Sequence, residues 1–132
     1  MTSREEFLHE LAKDNDLKGE DKYTLVKGET EIPIIKRSGI EKIQYKENIV
    51  VKFDWISMSK DYACIKATAT KGDVTIESYG SAWHGQGGNC MSNYVAEMAE
   101  KRSLSRVVLK MVGAYKYGVM GEDEADEFKR QN

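Results

Sequence analysis

A chain of 132 residues, 40% hydrophobic and 32% charged, is long enough for one folded domain burying roughly 68% of its unfolded surface and too apolar to read as disordered. No run is long and apolar enough to span a bilayer, and the opening MTSREEFLHELAKD lacks the apolar centre of a secretory signal, so a cytoplasmic protein with no membrane attachment is expected. The formal net charge of −2 decides little, because Glu122, Asp123, Glu124, Asp126 and Glu127 crowd into the last eleven residues and leave the rest of the chain near neutral. Local clustering must carry any argument about polyanions.

In chain order, Phe7, Leu8 and Leu11 stand at helical spacing behind Ser3, with Glu6 at the capping-box position, and predict a short helix over 3–13. The polar stretch 14–22 reads as a mobile connector. Residues 30–35 form a β-rich run containing Pro33, which cannot donate a ladder hydrogen bond and so predicts an edge strand. Ser38, with Glu41 three residues on, opens a second short helix carrying Ile40 and Ile43.

From residue 48 the pattern turns to period two. Val51, Phe53 and Trp55 alternate with Lys52, Asp54 and Ile56; then, over 62–70, Ala63, Ile65, Ala67 and Ala69 alternate with Tyr62, Cys64, Lys66 and Thr68. A third strand follows over 74–83, with Val74, Ile76, Ser78, Gly80 and Ala82 on one side. Turns at Lys60-Asp61 and Lys71-Gly72-Asp73 link the three into a meander. Small residues on one face of two of these strands leave room for a thick element, and the chain supplies one: SNYVAEMAEKRSLSRVVLKMVG, a long helix ending at Gly113. On a helical wheel Met91, Tyr94, Met98, Val108, Leu109 and Val112 form the stripe expected to pack on the sheet. The expected fold class is α+β: an antiparallel meander against one long C-terminal helix, with a short N-terminal helix, in one domain over 1–120 followed by an acidic tail over 121–132.

Catalytic signals are sparse. His9 and His84 are the only histidines, and no nucleophile elbow, P-loop or metal-binding helix is present. Cys64 and Cys90 are too far apart for a CxxC site and read as reduced core thiols. His84 and Cys90 make only two ligands, short of a closed metal site. A non-enzymatic protein without cofactor or metal is expected. Trp55 and Trp83 read as closing the core or lining a subunit interface.

The strongest chemical signal is basic. Arg102, Arg106 and Lys110 recur every four residues, about 6 Å apart along a helix, and each step advances only about 40° around the axis. They form a stripe that suits consecutive phosphates or, alternatively, a solvated face paired with Glu97 and Glu100. Lys52, Lys60 and Lys66 add cations on the sheet, and Tyr62 and Tyr79 offer rings on which bases could stack.

This order of elements, a meander ending in GSAW, a loop, then YVAEMAEKRSLSRVVLKMVG, resembles the single-strand DNA annealing proteins, both the eukaryotic Rad-fifty-two type and phage recombinases of the Erf type. The similarity covers residues 48–113. It implies that Arg106 and Lys110 line a groove for the strand's backbone, that Lys101 and Arg102 correspond to the basic pair of the Erf-type motif, and that Lys52, Lys60 and Lys66 lie in the groove's other wall. It also implies an ATP-independent protein of homologous recombination and repair, encoded by a phage or mobile element and therefore working in a host cytoplasm. Its partners would be single-stranded DNA, further copies of itself in a ring or filament, and a protein docking on the acidic tail. Val107 stands where the eukaryotic pattern has a second base. The competing expectations are a double-stranded RNA-binding module, which shares the helix–strands–helix order, and an assembly protein that docks partners through a sheet edge.

Overall fold

Thr2 starts the first helix in the computed structural model, which describes residues 2–125. Its hydroxyl accepts from the Glu5 amide at 3.1 Å, and the Glu5 carboxylate accepts from the Thr2 amide at 3.2 Å, closing a capping box one residue earlier than the Ser3–Glu6 pairing expected. Helix α1 then runs Ser3–Asn15. The remaining elements are β1 (Lys22–Lys27), β2 (Thr30–Ile35), α2 (Arg37–Lys46), β3 (Val50–Met58), β4 (Tyr62–Lys71), β5 (Val74–Trp83), α3 (Val95–Met111) and β6 (Met120–Gly121). The fold is α+β, with a short N-terminal helix, an antiparallel meander and a long C-terminal helix, as the patterning implies.

The chain divides into two compact units: Val50–Val107, and the residues up to Ile49 together with those from Val108 on. The latter holds a three-stranded sheet ordered β1-β2-β6. Strand β1 was not anticipated. It forms a hairpin with β2 across Gly28, whose φ is +64°. Pro33 lies on the central strand rather than an edge, yet the physics behind the expectation holds locally: β6 pairs only with Ile34 and Ile35, leaving Pro33 paired on one side.

The 14–22 stretch is not a loose connector. Asp21 is fully buried and accepts from Lys42 Nζ at 2.7 Å, Ser38 Oγ at 2.6 Å and the Lys18 amide at 2.8 Å. Ser38 therefore serves Asp21 instead of capping α2, whose N-cap is Lys36 and which has no side-chain cap. Burial alone would raise the Asp21 pKa, but the donors from Lys42, Ser38 and Lys18 outweigh it and lower it from 3.8 to about 2. A folded-state pKa below the unfolded one contributes stability that is complete above about pH 5 and is lost as pH falls toward 2, about 2 kcal/mol in all. Asp21→Asn is expected to remove that part of the acid dependence, read as urea midpoints across pH 2 to 6 beside wild type.

The start of the acidic stretch is also packed. Glu124 accepts from the Tyr115 hydroxyl at 2.7 Å and the Gly121 amide at 3.2 Å, Glu122 accepts from the Arg37 amide at 3.3 Å, and Asp123 is buried. Asp126 and Glu127, and with them the rest of the expected docking tail, lie outside the described residues. No described helix is long and apolar enough to cross a membrane.

In the second unit β3, β4 and β5 form an antiparallel meander in that order. Central strand β4 alternates strictly, with Ala63, Ile65, Ala67 and Ala69 fully buried. The cross-strand pairs Ile65–Gly80 and Ala63–Ala82 put the small residues of β5 on that same face. Val95 and Ala99 of α3 pack there against Ala63, Ile65 and Ala82, with Phe53 and Met98 at the margin. The helix contacts the sheet chiefly through Val95 and Ala99; of the stripe expected, Met98 packs at the margin and Val108 and Leu109 are fully buried, whereas Met91 and Tyr94 do not take part. Met91 and Tyr94 precede α3 and are 86% and 68% exposed, since the helix begins only at Val95.

Candidate nucleic-acid interface

Close approach at Gly80 sets the position of α3. A Cβ there would lie 2.5 Å from the Ala99 carbonyl oxygen and 2.9 Å from the Arg102 carbonyl carbon, with the Ser103 amide nitrogen closer still. Helix backbone therefore rests directly on strand backbone, which only glycine permits. That contact brings the basic stripe down along β5, one edge of the sheet.

Arg102 donates from Nη1 to the Ser81 carbonyl and from Nη2 to the Asn89 carbonyl, both at 2.8 Å. One turn on, Arg106 Nη1 reaches the Tyr79 carbonyl at 3.4 Å and stays exposed. The register is geometric. Four helical residues rise about 6 Å, two strand residues span about 6.6 Å, and the helix runs opposite to β5, so successive arginines meet alternate carbonyls. Arg102 thus joins strand, loop and helix, with both terminal nitrogens engaged by carbonyls, where a free phosphate ligand was expected. The loop it grips is closed by further bonds: Asn89 Oδ1 accepts from the Trp83 amide at 2.8 Å, the Cys90 amide donates to the Trp83 carbonyl at 3.0 Å, and Cys90 Sγ donates to the Ser92 carbonyl at 3.1 Å.

The other predicted residues divide between locations. Lys52, Lys66 and Tyr62 project from the face of the sheet opposite α3, as the pairs Lys52–Thr68, Asp54–Lys66 and Tyr62–Trp83 require. The groove expected between the helix and these lysines is therefore not formed; the sheet itself separates the two sets. Lys66 is bound to Glu77 at 3.0 Å, and that hydrogen bond with its charge holds the ammonium above its ordinary value. Lys52 and Lys60, the latter in the β3–β4 turn, are exposed and make no ion pair among the described residues. Lys101 is half-buried on α3, and Lys110 is exposed on the segment of α3 counted with the first unit.

Of two rings on the open face, Tyr79 was expected as a surface on which bases could stack, and Trp83 was not. Tyr79 is 52% exposed, and Trp83 is 48% exposed rather than closing the core. Strand parity carried the signal: with Gly80 and Ala82 facing the helix, Tyr79 and Trp83 must face away. Trp55 lies on the helix side opposite Ile65 yet is 51% exposed, because β3 is the other edge. Cys64 lies half-buried beside Tyr62 on the open face and raises the pKa of its phenol, which therefore stays neutral in ordinary buffers. Among the described residues no three His, Cys, Asp or Glu side chains stand together as a metal site. No family model, curated protein or solved structure matches the chain.

Proposed function

We propose that this chain is a single-stranded DNA-binding protein that anneals complementary strands without ATP, of the kind that serves homologous recombination in phages and mobile elements. The observation that supports it most is Arg106: an exposed guanidinium held along a strand edge by a helix that approaches through glycine, its hydrogen-bond partner among the described residues the Tyr79 carbonyl at 3.4 Å. Such a group is positioned but not consumed, which is what a phosphate ligand requires. Lys52 and Lys60 supply further exposed cations with no ion pair among the described residues, and Lys110 continues the helical stripe.

An annealing protein holds the backbone loosely and leaves base edges open. With four phosphate contacts per subunit the salt slope is about −0.7 × 4, or roughly −3. Single sites of that strength need multiplicity, so we include in the proposal a ring or filament of copies that joins their sites.

The test is anisotropy of a labelled single strand at several salt concentrations, with duplex DNA and duplex RNA as competitors, followed by a pairing assay without ATP. Replacing Arg106 and Lys110 together by Ala is expected to weaken binding at least tenfold and to flatten the salt slope by about 1.4, with an unchanged melting temperature. Preference for duplex RNA, or no binding at low salt by the folded protein, would overturn the reading.

A further inference from the structure

The sheet β3-β4-β5 has one face covered by α3 and one face open. Tyr62, Tyr79 and Trp83 stand on the open face, exposing 36%, 52% and 48% of their surface, and Tyr62 and Trp83 are direct cross-strand partners. Between Tyr79 and Trp83 lies Ser81; on β4 Cys64 stands opposite Ser81, and Lys66, ion-paired to Glu77 at 3.0 Å, stands opposite Tyr79. Rings set among small polar side chains and one ion pair offer flat π faces without a continuous apolar patch. A dry protein interface needs an apolar centre; a wet ligand that carries its own flat rings does not.

Charge at the rim points to the same ligand. Arg106 reaches the Tyr79 carbonyl at the β5 edge, so a cation stands beside the strand whose alternate side chains are the rings. Tyr79 and Trp83 are four residues apart on β5, about 13 Å along the strand. One edge therefore carries an exposed cation and, on the face beside it, two exposed rings in line.

We infer that the open face of β3-β4-β5 is a base-stacking platform: the backbone of a single strand runs along the β5 edge past Arg106, and its bases turn inward to stack on Tyr79 and Trp83. This rests on the reading of the chain as a single-strand binder and adds the surface and the mode of contact. Stacking engages the faces of the bases and leaves their pairing edges free, as annealing demands. A duplex is rejected because its base faces already cover one another.

The chain has two tryptophans, so Trp55→Phe leaves Trp83 as the sole emitter. That variant is titrated with oligothymidylate and with an abasic oligodeoxynucleotide of equal length, with anisotropy of the labelled strand read in parallel. Oligothymidylate is expected to quench Trp83 emission and the abasic strand to leave it unchanged. Tyr79→Ala and Trp83→Ala are each expected to weaken oligothymidylate binding on the order of tenfold or more while the weaker abasic binding stays as in wild type, and Tyr79→Phe is expected to keep wild-type affinity. Oligothymidylate binding with unmoved Trp83 emission overturns the platform and leaves the single-strand reading standing, even if an alanine variant fails to fold. No binding of either strand overturns both. Full binding with a reduced subunit number in the alanine variants, read by sedimentation, overturns the platform and assigns the face to a contact between copies.

Discussion

Gly80→Ala is expected to lower the stability of the chain by about 3 kcal/mol or more, the upper part of the range for overpacking. Gly80 is absent from the positive-φ positions, so backbone conformation does not require glycine there; space does. The added methyl would meet the Ala99 oxygen at 2.5 Å and the Arg102 carbonyl carbon at 2.9 Å. Both are backbone atoms and cannot rotate aside. Relief requires α3 to lift from β5, which separates Val95 and Ala99 from Ala63, Ile65 and Ala82 and draws Arg102 from its carbonyls. Gly19→Ala is the control, since a Cβ there meets nothing within 4 Å, and it should stay within about 0.5 kcal/mol. Urea unfolding followed by circular dichroism reads both. A Gly80→Ala protein as stable as the control would mean that helix and strand do not touch there.

What could be read in the sequence follows from how uniquely each pattern maps to space. Strand β4 was legible because a central strand packed on one face has only one solution for Ala63, Ile65, Ala67 and Ala69. Strand β1 was not: no residue of KYTLVK is buried, and the apolar Val26 is exposed. The spacing of Arg102 and Arg106 correctly placed both on one stripe. Helical period says nothing of what lies beneath the stripe, and there the strand register decides: Ser81 and Asn89 take both amino groups of Arg102, whereas Arg106 finds one distant carbonyl. Met91 and Tyr94 were misplaced because a wheel applies only inside a helix. Ser92 Oγ accepts from the Tyr94 amide at 3.0 Å in the turn before α3, so the two residues lie outside the helical phase. Asp21 was invisible in a polar stretch because its partners, Ser38 and Lys42, come from the following helix.

Arg102→Ala is expected to cost about 3 kcal/mol, and Arg106→Ala less than about 0.5 kcal/mol, although the two residues share one stripe. Each charge-assisted bond is worth about 1.5–3 kcal/mol, and Arg102 makes two at 2.8 Å in a partly buried setting. Its loss frees the Asn89 carbonyl and, through Asn89 Oδ1 on the Trp83 amide, loosens the loop that fixes the end of β5. Arg102→Lys should rescue little, because one ammonium cannot reproduce a planar fork spanning the carbonyls of Ser81 and Asn89. Melting curves together with amide exchange at Trp83 and Cys90 separate this from a phosphate role: a clamp gives lower melting and faster exchange in Arg102→Ala and Arg102→Lys alike. A phosphate ligand would instead give unchanged melting, weaker strand binding and substantial recovery with Lys, as expected for Arg106. The pair thus tests within one helix whether helical spacing or strand register decides what an arginine does.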